Sequence, residues 1–208
     1  MIKPAEQTPL STIRLAQLME EAGVPAGVVN IVPGFGETAG AAIGLHNKID
    51  KVSFTGSTEV GRMFMRYAGD SNLKGVGLEM GGKSPFIVLE DAVIDDEMID
   101  HAAMSAFWNG GQNCSTNMRQ LIAATRVEEF TARIIDRVRA FKIGDPLGPE
   151  TDIGSMSTRD HKEMVLSYFQ SGVDEGAKKV MGGDSDLPGH FIEPTIFQNV
   201  APTMKIAC

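Results

Sequence analysis

The stretch that decides the fold class is KVSFTGSTEVG, residues 51–61. Its first part, Lys51–Thr55, is a short run containing β-branched and aromatic side chains and predicts a strand. Ser57 or Thr58 then supplies a side-chain oxygen that can cap the start of a helix. A further strand is predicted over Gly75–Met80. Strand–helix–strand units this short indicate a parallel sheet with an α/β fold.

Helices and strands also alternate on both sides of this stretch. Apolar residues at helical spacing predict a helix that ends before Gly23 and Pro25. The Gly81-Gly82 pair is the best boundary, so we predict one domain over residues 1–81 and a second over 82–208. The other predicted elements are strands at residues 28–32 and 84–89, a short helix at 38–44, and helices near 99–106, 127–141 and 160–175.

Composition places the chain among ordinary globular proteins. Of its 208 residues, 42% are hydrophobic and 22% are charged, which argues against a disordered chain. The net charge of −8 argues against a nucleic-acid partner, because phosphate binding requires a basic surface. No apolar run approaches the roughly 20 residues that cross a membrane, and no signal-peptide pattern opens the chain, so we expect no membrane partner.

The two cysteines further limit the kinds of site that the chain can hold. Cys114 and Cys208 are far apart in sequence and offer neither a disulfide framework nor zinc-ligand spacing. The four histidines show no ligand spacing either. We therefore expect no metal site and a reducing, cytoplasmic location.

A cysteine in a polar turn is the first candidate for chemistry. Cys114 lies in FWNGGQNCST, residues 107–116, among glycines, amides and hydroxyls. A structural cysteine usually has apolar neighbours, whereas glycines let the backbone approach a ligand. These neighbours favour a reachable, nucleophilic thiol. The alternative is a packed thiol without a chemical role.

A carboxylate before two glycines is the second candidate. Glu79 lies in LEMGGKSP, residues 78–85, near the end of the strand predicted over Gly75–Met80 and before two glycines that predict a flexible, close-approach loop. A carboxylate works best as a general base near neutral pH when its pKa is raised, which partial burial would give. The alternative is a solvated glutamate, which is the usual state of this residue type.

Both segments resemble signatures of the NAD(P)-dependent aldehyde dehydrogenase superfamily. The resemblance implies part of a Rossmann-like, parallel-sheet coenzyme domain followed by an α/β catalytic domain. Thr116 departs from the family, which usually has a smaller residue or an amide there. Further matches occur in the family's order from residue 3 to the end of the chain: KPAEQTP at 3–9, GFG at 34–36, FTGSTEVG at 54–61, GDPL at 144–147 and EPTI at 193–196.

The resemblance implies a role for each candidate residue. The Cys114 thiolate adds to an aldehyde to give a thiohemiacetal that becomes a thioester, and its backbone N–H supplies one oxyanion donor. Glu79 activates the water that hydrolyses the thioester. Lys3 and Glu6 hold the adenosine ribose, and Glu6 favours NAD over NADP by repelling a 2′-phosphate. Ser57 hydrogen-bonds the pyrophosphate, and Gly56 lets the nicotinamide lie close. The other implied coenzyme contacts come from Gly36, Thr55 and Met80.

The same resemblance predicts the length of the full protein, its substrate class and its oligomeric state. Family members are considerably longer, so we expect this chain to be a fragment with weak or no activity alone. Residues 70–74 and 112–114 are most similar to members that act on amino-aldehydes, such as gamma-glutamyl-gamma-aminobutyraldehyde dehydrogenases. The full-length form is expected to be a homodimer or homotetramer. Two alternatives stay open: a non-catalytic remnant, and a thiol esterase that uses Cys114 and Glu79 without a coenzyme.

Overall fold

The computed structural model describes residues 1–208, which divide into two compact units. The first unit is Met1–Gly81 and the second is Gly82–Cys208. Each unit contains a parallel strand pair with at least one helix between the two strands in the sequence. No helix in the chain combines the length and apolarity needed to cross a membrane.

The first unit is organised by the strand–helix–strand element that the sequence predicts. Strand β1 (Lys51–Gly56) runs parallel to strand β2 (Gly75–Met80), and helix α3 (Thr58–Gly69) connects them. The side-chain oxygen of Ser57 accepts a hydrogen bond from the Val60 amide and caps α3. The carboxyl ends of both strands therefore meet at one edge of the sheet.

Aromatic packing fixes α3 on this sheet. Phe64 is buried, and its ring centroid lies 5.0 Å from that of Phe54 on β1 and 5.9 Å from that of Tyr67. Tyr67 packs closely on Gly44, where a Cβ atom would meet the ring at 2.5 Å. Gly44 belongs to helix α2 (Ala41–Leu45). The glycine thus allows α2 to lie against α3.

The segment before β1 differs from the sequence prediction in two places. Residues 28–32 do not form a strand; Ile31 makes a single parallel bridge with Ile2. A strand needs a hydrogen-bonded partner along its length, and here the backbone at Ile2 supplies only one bridge. The helix predicted at 38–44 begins earlier, with a π-helical turn over Gly36–Gly40 that leads into α2. Helix α1 (Pro9–Glu21) ends before Gly23, whose φ is +87°.

The second unit has the larger core. Strand β3 (Pro85–Val88) runs parallel to strand β4 (Arg119–Ile122), with helix α4 (Asp96–Phe107) between them in the sequence. Helix α5 (Val127–Arg139) packs on α4. The core that these elements share is made of small and branched side chains: Val88, Ile94, Ile99, Ala102, Ala103, Phe130, Ile134 and Val138.

An antiparallel hairpin completes this unit. Helix α6 (Arg159–Asp174) precedes strand β5 (Lys178–Asp184), which pairs with strand β6 (Ile192–Gln198). The sequence analysis predicts α6 but neither the hairpin nor β4. Two glycines with positive φ, Gly182 and Gly183, interrupt β5 and obscure its strand pattern.

Candidate active site

The loop that carries Cys114 begins with left-handed backbone. After α4, Asn109, Gly110 and Gly111 have φ angles of 54°, 65° and 75°. Glycine adopts this conformation without steric cost, and asparagine tolerates it better than most residues. The side chains of Asn109 and Gln112 each donate to the other's carbonyl, at 3.3 and 3.1 Å. These bonds hold the backbone that leads into the turn carrying Cys114.

A tight turn over residues 113–116 presents the cysteine. The Thr116 amide donates to the Asn113 carbonyl at 3.2 Å and closes the turn. Thr116 is only 3% exposed, so the residue that departs from the family pattern anchors the loop. The next amide, that of Asn117, donates to the Ser105 carbonyl on α4 at 3.0 Å. Cys114 consequently lies at the exposed corner of an anchored turn.

The Cys114 thiol is free and exposed. Its Sγ donates to Asn113 Oδ1 at 3.7 Å. The backbone hydrogen bond of the turn engages the Thr116 amide and leaves the Cys114 amide outside that ring. An exposed thiol beside an uncommitted amide is the arrangement that a nucleophile with an oxyanion donor requires.

Glu79 lies within β2, the strand predicted over Gly75–Met80, opposite Thr55 of β1 in the strand register. The flexible loop suggested by the two glycines does not include it. Its side chain is exposed rather than partly buried. The pairing with β1 holds the backbone in place, because β2 continues to Met80 before the glycines begin. A Cβ at either Gly81 or Gly82 would meet no atom, so packing does not require glycine there.

Lys3 and Glu6 form a connected cluster in the first unit. Lys3 Nζ donates to Glu6 Oε1 at 3.0 Å and to the carbonyls of Pro4 and Gly34 at 2.9 and 2.8 Å. The Glu6 backbone N–H, followed by the Lys3 ammonium, lowers the pKa of the Glu6 carboxyl. The Gly36 backbone N–H lowers the pKa of this carboxyl further, with the smallest effect of the three. The cluster therefore holds an ionised carboxylate in one orientation.

The remaining coenzyme candidates lie at the carboxyl ends of β1 and β2. Gly56 pairs with Met80 in the register, and Ser57 follows as the cap of α3. A Cβ at Gly56 would lie 2.5 Å from the Phe54 ring, so the packing of Phe54 by itself requires glycine there. The close approach of nicotinamide is thus not needed to explain Gly56. Met80 Sδ packs where a Cβ of Gly61 would lie.

The structure brings the predicted residues together in three groups. Lys3, Glu6 and Gly36 form one, and Thr55, Gly56, Ser57, Glu79 and Met80 lie at one sheet edge, both in the first unit. Cys114 lies in the second unit. The sequence analysis missed the contacts of Asn109, Gln112 and Asn113; three amides in five residues around two glycines were the available signal. No group of side chains is arranged to hold a metal ion.

Parallel strand pairs joined through helices place both units among the α/β proteins. Within that class, the sequence pattern described as the aldehyde dehydrogenase family matches residues 1–208, and the chain belongs to this family. It is 47% identical to aldehyde dehydrogenase 1A1 of Oryctolagus cuniculus over 208 residues, which are all of this chain and 42% of that protein.

Solved structures agree with this assignment. The aldehyde dehydrogenase KauB from Pseudomonas aeruginosa superposes with a TM-score of 0.95 at 43% identity, covering 99% of this chain and 42% of that one. An aldehyde dehydrogenase from Bacillus cereus, solved as a complex with NAD+, gives a TM-score of 0.94 at 44% identity, with coverage of 99% and 42%. The chain spans about two fifths of the length of these relatives.

Proposed function

We propose that this chain carries the nucleophile and part of the coenzyme site of an enzyme that oxidises an aldehyde to a carboxylic acid with NAD. The observation that carries the proposal is the exposed Cys114 thiol on an anchored polar turn, in a member of the aldehyde dehydrogenase family. Residues 1–81 are assigned to the NAD-binding domain and residues 82–208 to the catalytic domain.

Cys114 begins the reaction. Its Sγ, as the thiolate, forms a bond to the aldehyde carbon, and the carbonyl electron pair moves to oxygen to give a thiohemiacetal. The Cys114 backbone N–H donates to the oxygen that gains charge; one such donor contributes about 2.7–4 kcal/mol to the transition state in other enzymes. The chemistry that NAD supplies when bound is acceptance of the hydride that this intermediate loses on becoming a thioester.

Glu79 completes the reaction as a general base. Its carboxylate takes a proton from water while the water oxygen attacks the thioester carbon, and the Cys114 thiolate leaves as the carboxylic acid forms. The Glu79 side chain is exposed, so water can reach its carboxylate. The pairing of β2 with β1 limits the motion of its backbone.

Residues of the first unit fit a dinucleotide. The N-terminus of α3 offers free amides and a positive dipole end to a pyrophosphate. The Ser57 hydroxyl accepts from the Val60 amide and keeps its own proton to donate. The ordered Glu6 carboxylate can accept from ribose hydroxyls, supported by Lys3 and Gly36. Thr55, Gly56 and Met80 complete the assigned contacts at the same sheet edge.

The Glu6 cluster also supports NAD over NADP. The Lys3 ammonium makes three hydrogen bonds to groups of the chain itself, so it acts on the ribose through Glu6 rather than by direct contact and has no donor left for an added phosphate. An ionised carboxylate beside a ribose repels a 2′-phosphate. An amino-aldehyde substrate, a cytoplasmic location and a homodimeric or homotetrameric full-length form stay predictions.

Replacing the nucleophile tests the function. In the full-length protein, Cys114→Ala should abolish NAD-dependent aldehyde oxidation, a loss of at least about a thousandfold, while NAD binding stays nearly unchanged. NADH absorbance measures the first and calorimetry the second. Cys208→Ser is the matched control and should retain turnover. Turnover by Cys114→Ala would remove the residue as nucleophile. Ester cleavage without NAD by the original protein, with no aldehyde oxidation when NAD is added, would favour the esterase.

Replacing the base tests the second half of the reaction. Glu79→Gln should slow deacylation more than acylation, so that a burst of NADH appears and then stalls. Mass spectrometry should detect the acyl group on Cys114 after the burst. Loss of the burst itself, with no acyl-enzyme formed, would show that Glu79 acts earlier than proposed.

A further inference from the structure

We propose that Asn117 is a positioning residue for the nucleophile: it links the turn that carries Cys114 to helix α4 and to strand β3, and so fixes where the thiol and its backbone N–H are presented. The catalytic meaning of this link rests on the proposed function, in which Cys114 attacks the aldehyde and its N–H donates to the oxyanion. The link itself belongs to the second unit and can be measured without substrate or coenzyme.

Asn117 makes hydrogen bonds to two separate elements. Its backbone N–H donates to the Ser105 carbonyl on α4 at 3.0 Å. Its side-chain Nδ2 donates at 3.2 Å to the carbonyl of Pro85, the first residue of β3. The orientation of this side-chain amide is determined, because a carbonyl oxygen only accepts and the nitrogen must be the atom that faces it. One residue thus joins the turn to a helix and to a strand that both precede it in the sequence.

The other hydrogen bonds of this turn stay inside it. The Thr116 amide donates to the Asn113 carbonyl, and the Asn113 side chain contacts its two neighbours in the turn. The hydrogen bonds from residues 113–118 to other elements of the unit are therefore both made by Asn117. Burial of Thr116 holds the turn by packing, which is not directional, whereas the bonds of Asn117 also set its direction.

Both elements that Asn117 contacts belong to the packed part of the unit. Ala102 and Ala103, on the helix that carries Ser105, are fully buried, and Val88 on β3 is 1% exposed. A reacting group is positioned most precisely when the elements that support it are rigid. A displacement of about 1 Å can cost on the order of a hundredfold in rate. Loss of either bond of Asn117 should therefore affect the nucleophile more than the fold.

Removing the side-chain donor tests this role in the full-length protein. At neutral pH neither Asn117→Leu nor Asn117→Asp can donate to the Pro85 carbonyl, and both side chains have nearly the size of asparagine. Each variant should lower kcat for aldehyde oxidation about tenfold. The KM for NAD should stay unchanged, because the assigned coenzyme contacts lie in the first unit. Circular dichroism checks that every variant is folded.

Gln120→Leu is the matched control. It removes a side-chain amide of the same unit that donates to a main-chain carbonyl, that of Ala102, also at 3.2 Å. Gln120 lies on β4, outside the Cys114 turn, so this variant should leave kcat nearly unchanged. An equal loss of kcat in Gln120→Leu would overturn the proposal, because any lost amide bond in this unit would then slow the reaction.

Hydrogen exchange in the 208-residue chain tests the link itself. In Asn117→Leu, the Thr116 amide that closes the turn should exchange about fivefold faster, as expected for the loss of one hydrogen bond. In Gln120→Leu it should exchange as in the original chain; NMR measures both. Unchanged exchange in Asn117→Leu, or faster exchange with unchanged kcat, would overturn the proposal. If the full-length protein oxidises no aldehyde, exchange at Thr116 still decides whether Asn117 holds the turn, so the two failures are distinguishable.

Discussion

The two units of this chain differ in how their functional residues are supported. In the second unit, Ala102 and Ala103 are fully buried and Val138 is 1% exposed, and the same helix α4 leads into the Cys114 loop. In the first unit, helix α1 has no buried residue. An open groove of about 430 Å³ lies between α1 and the segment after it. The nucleophile therefore rests on a packed framework, whereas part of the coenzyme unit contributes little burial.

One core truncation and one surface truncation should test this difference in burial between the two units. Phe130 on α5 is 2% exposed, and Phe130→Ala should lower the free energy of unfolding by about 3–5 kcal/mol through lost burial and a cavity. Leu15 on α1 is 47% exposed, and Leu15→Ala should cost less than about 0.5 kcal/mol. Urea unfolding followed by far-UV circular dichroism measures both. Equal losses for the two variants would contradict the difference between the units.

Helix caps test the same difference between the two units, with a smaller expected effect on stability. The Asp95 side chain accepts from the Met98 amide at 2.8 Å and caps α4, whereas Thr8 makes no side-chain cap on α1. Asp95→Ala should therefore cost about 1 kcal/mol, and Asp95→Asn should retain most of the stability because asparagine caps as well. Thr8→Ala should change little. Unfolding experiments on the three variants decide the point, and a large loss for Thr8→Ala would show a contact that the structure does not contain.

Sequence patterns predicted elements where local signals suffice. The strand over residues 51–55, the Ser57 cap and the strand Gly75–Met80 follow from side-chain type and turn chemistry, and the structure confirms them. The strand predicted at 28–32 failed because a β-branched run forms a ladder only when a partner lies alongside it. The hairpin of β5 and β6 was missed because Gly182 is required by the close approach of Pro194 and Thr195 on the facing strand, which no local pattern reveals.

The candidate site was predictable to a similar degree. The polar turn at Cys114 could be read from its glycines and amides, and the strand that ends at Met80 from its side chains, but the sequence could not decide whether Glu79 is partly buried or solvated. The exposure of that side chain depends on long-range contacts such as the pairing of Thr55 with Glu79, which no local pattern reveals. Similarly, Gly56 looked like a residue kept small for a ligand, and the Phe54 ring beside it gives an internal reason for glycine.

The smallest expected effect concerns the Lys3–Glu6 pair of the first unit. The Glu6 backbone N–H and the Lys3 ammonium lower the pKa of the Glu6 carboxyl in the folded chain. The stabilisation from an ionised Glu6 is therefore present above its unfolded-state pKa and is lost as the pH falls through the lower, folded value. Lys3→Met should raise the pKa of Glu6, although the backbone N–H still holds it below the usual value.

Titration of the Glu6 carboxyl by NMR measures this change directly. Arg14→Met is the matched control, because it removes a comparable cation from an exposed pair with Glu21 and leaves the Glu6 cluster intact. Unfolding at neutral pH should lose less than about 1 kcal/mol in Lys3→Met, as is usual for surface pairs. If Glu6 titrates at the same pH in Lys3→Met as in the original chain, the ammonium does not hold the carboxylate. The argument that this cluster orders Glu6 for a ribose would then fail.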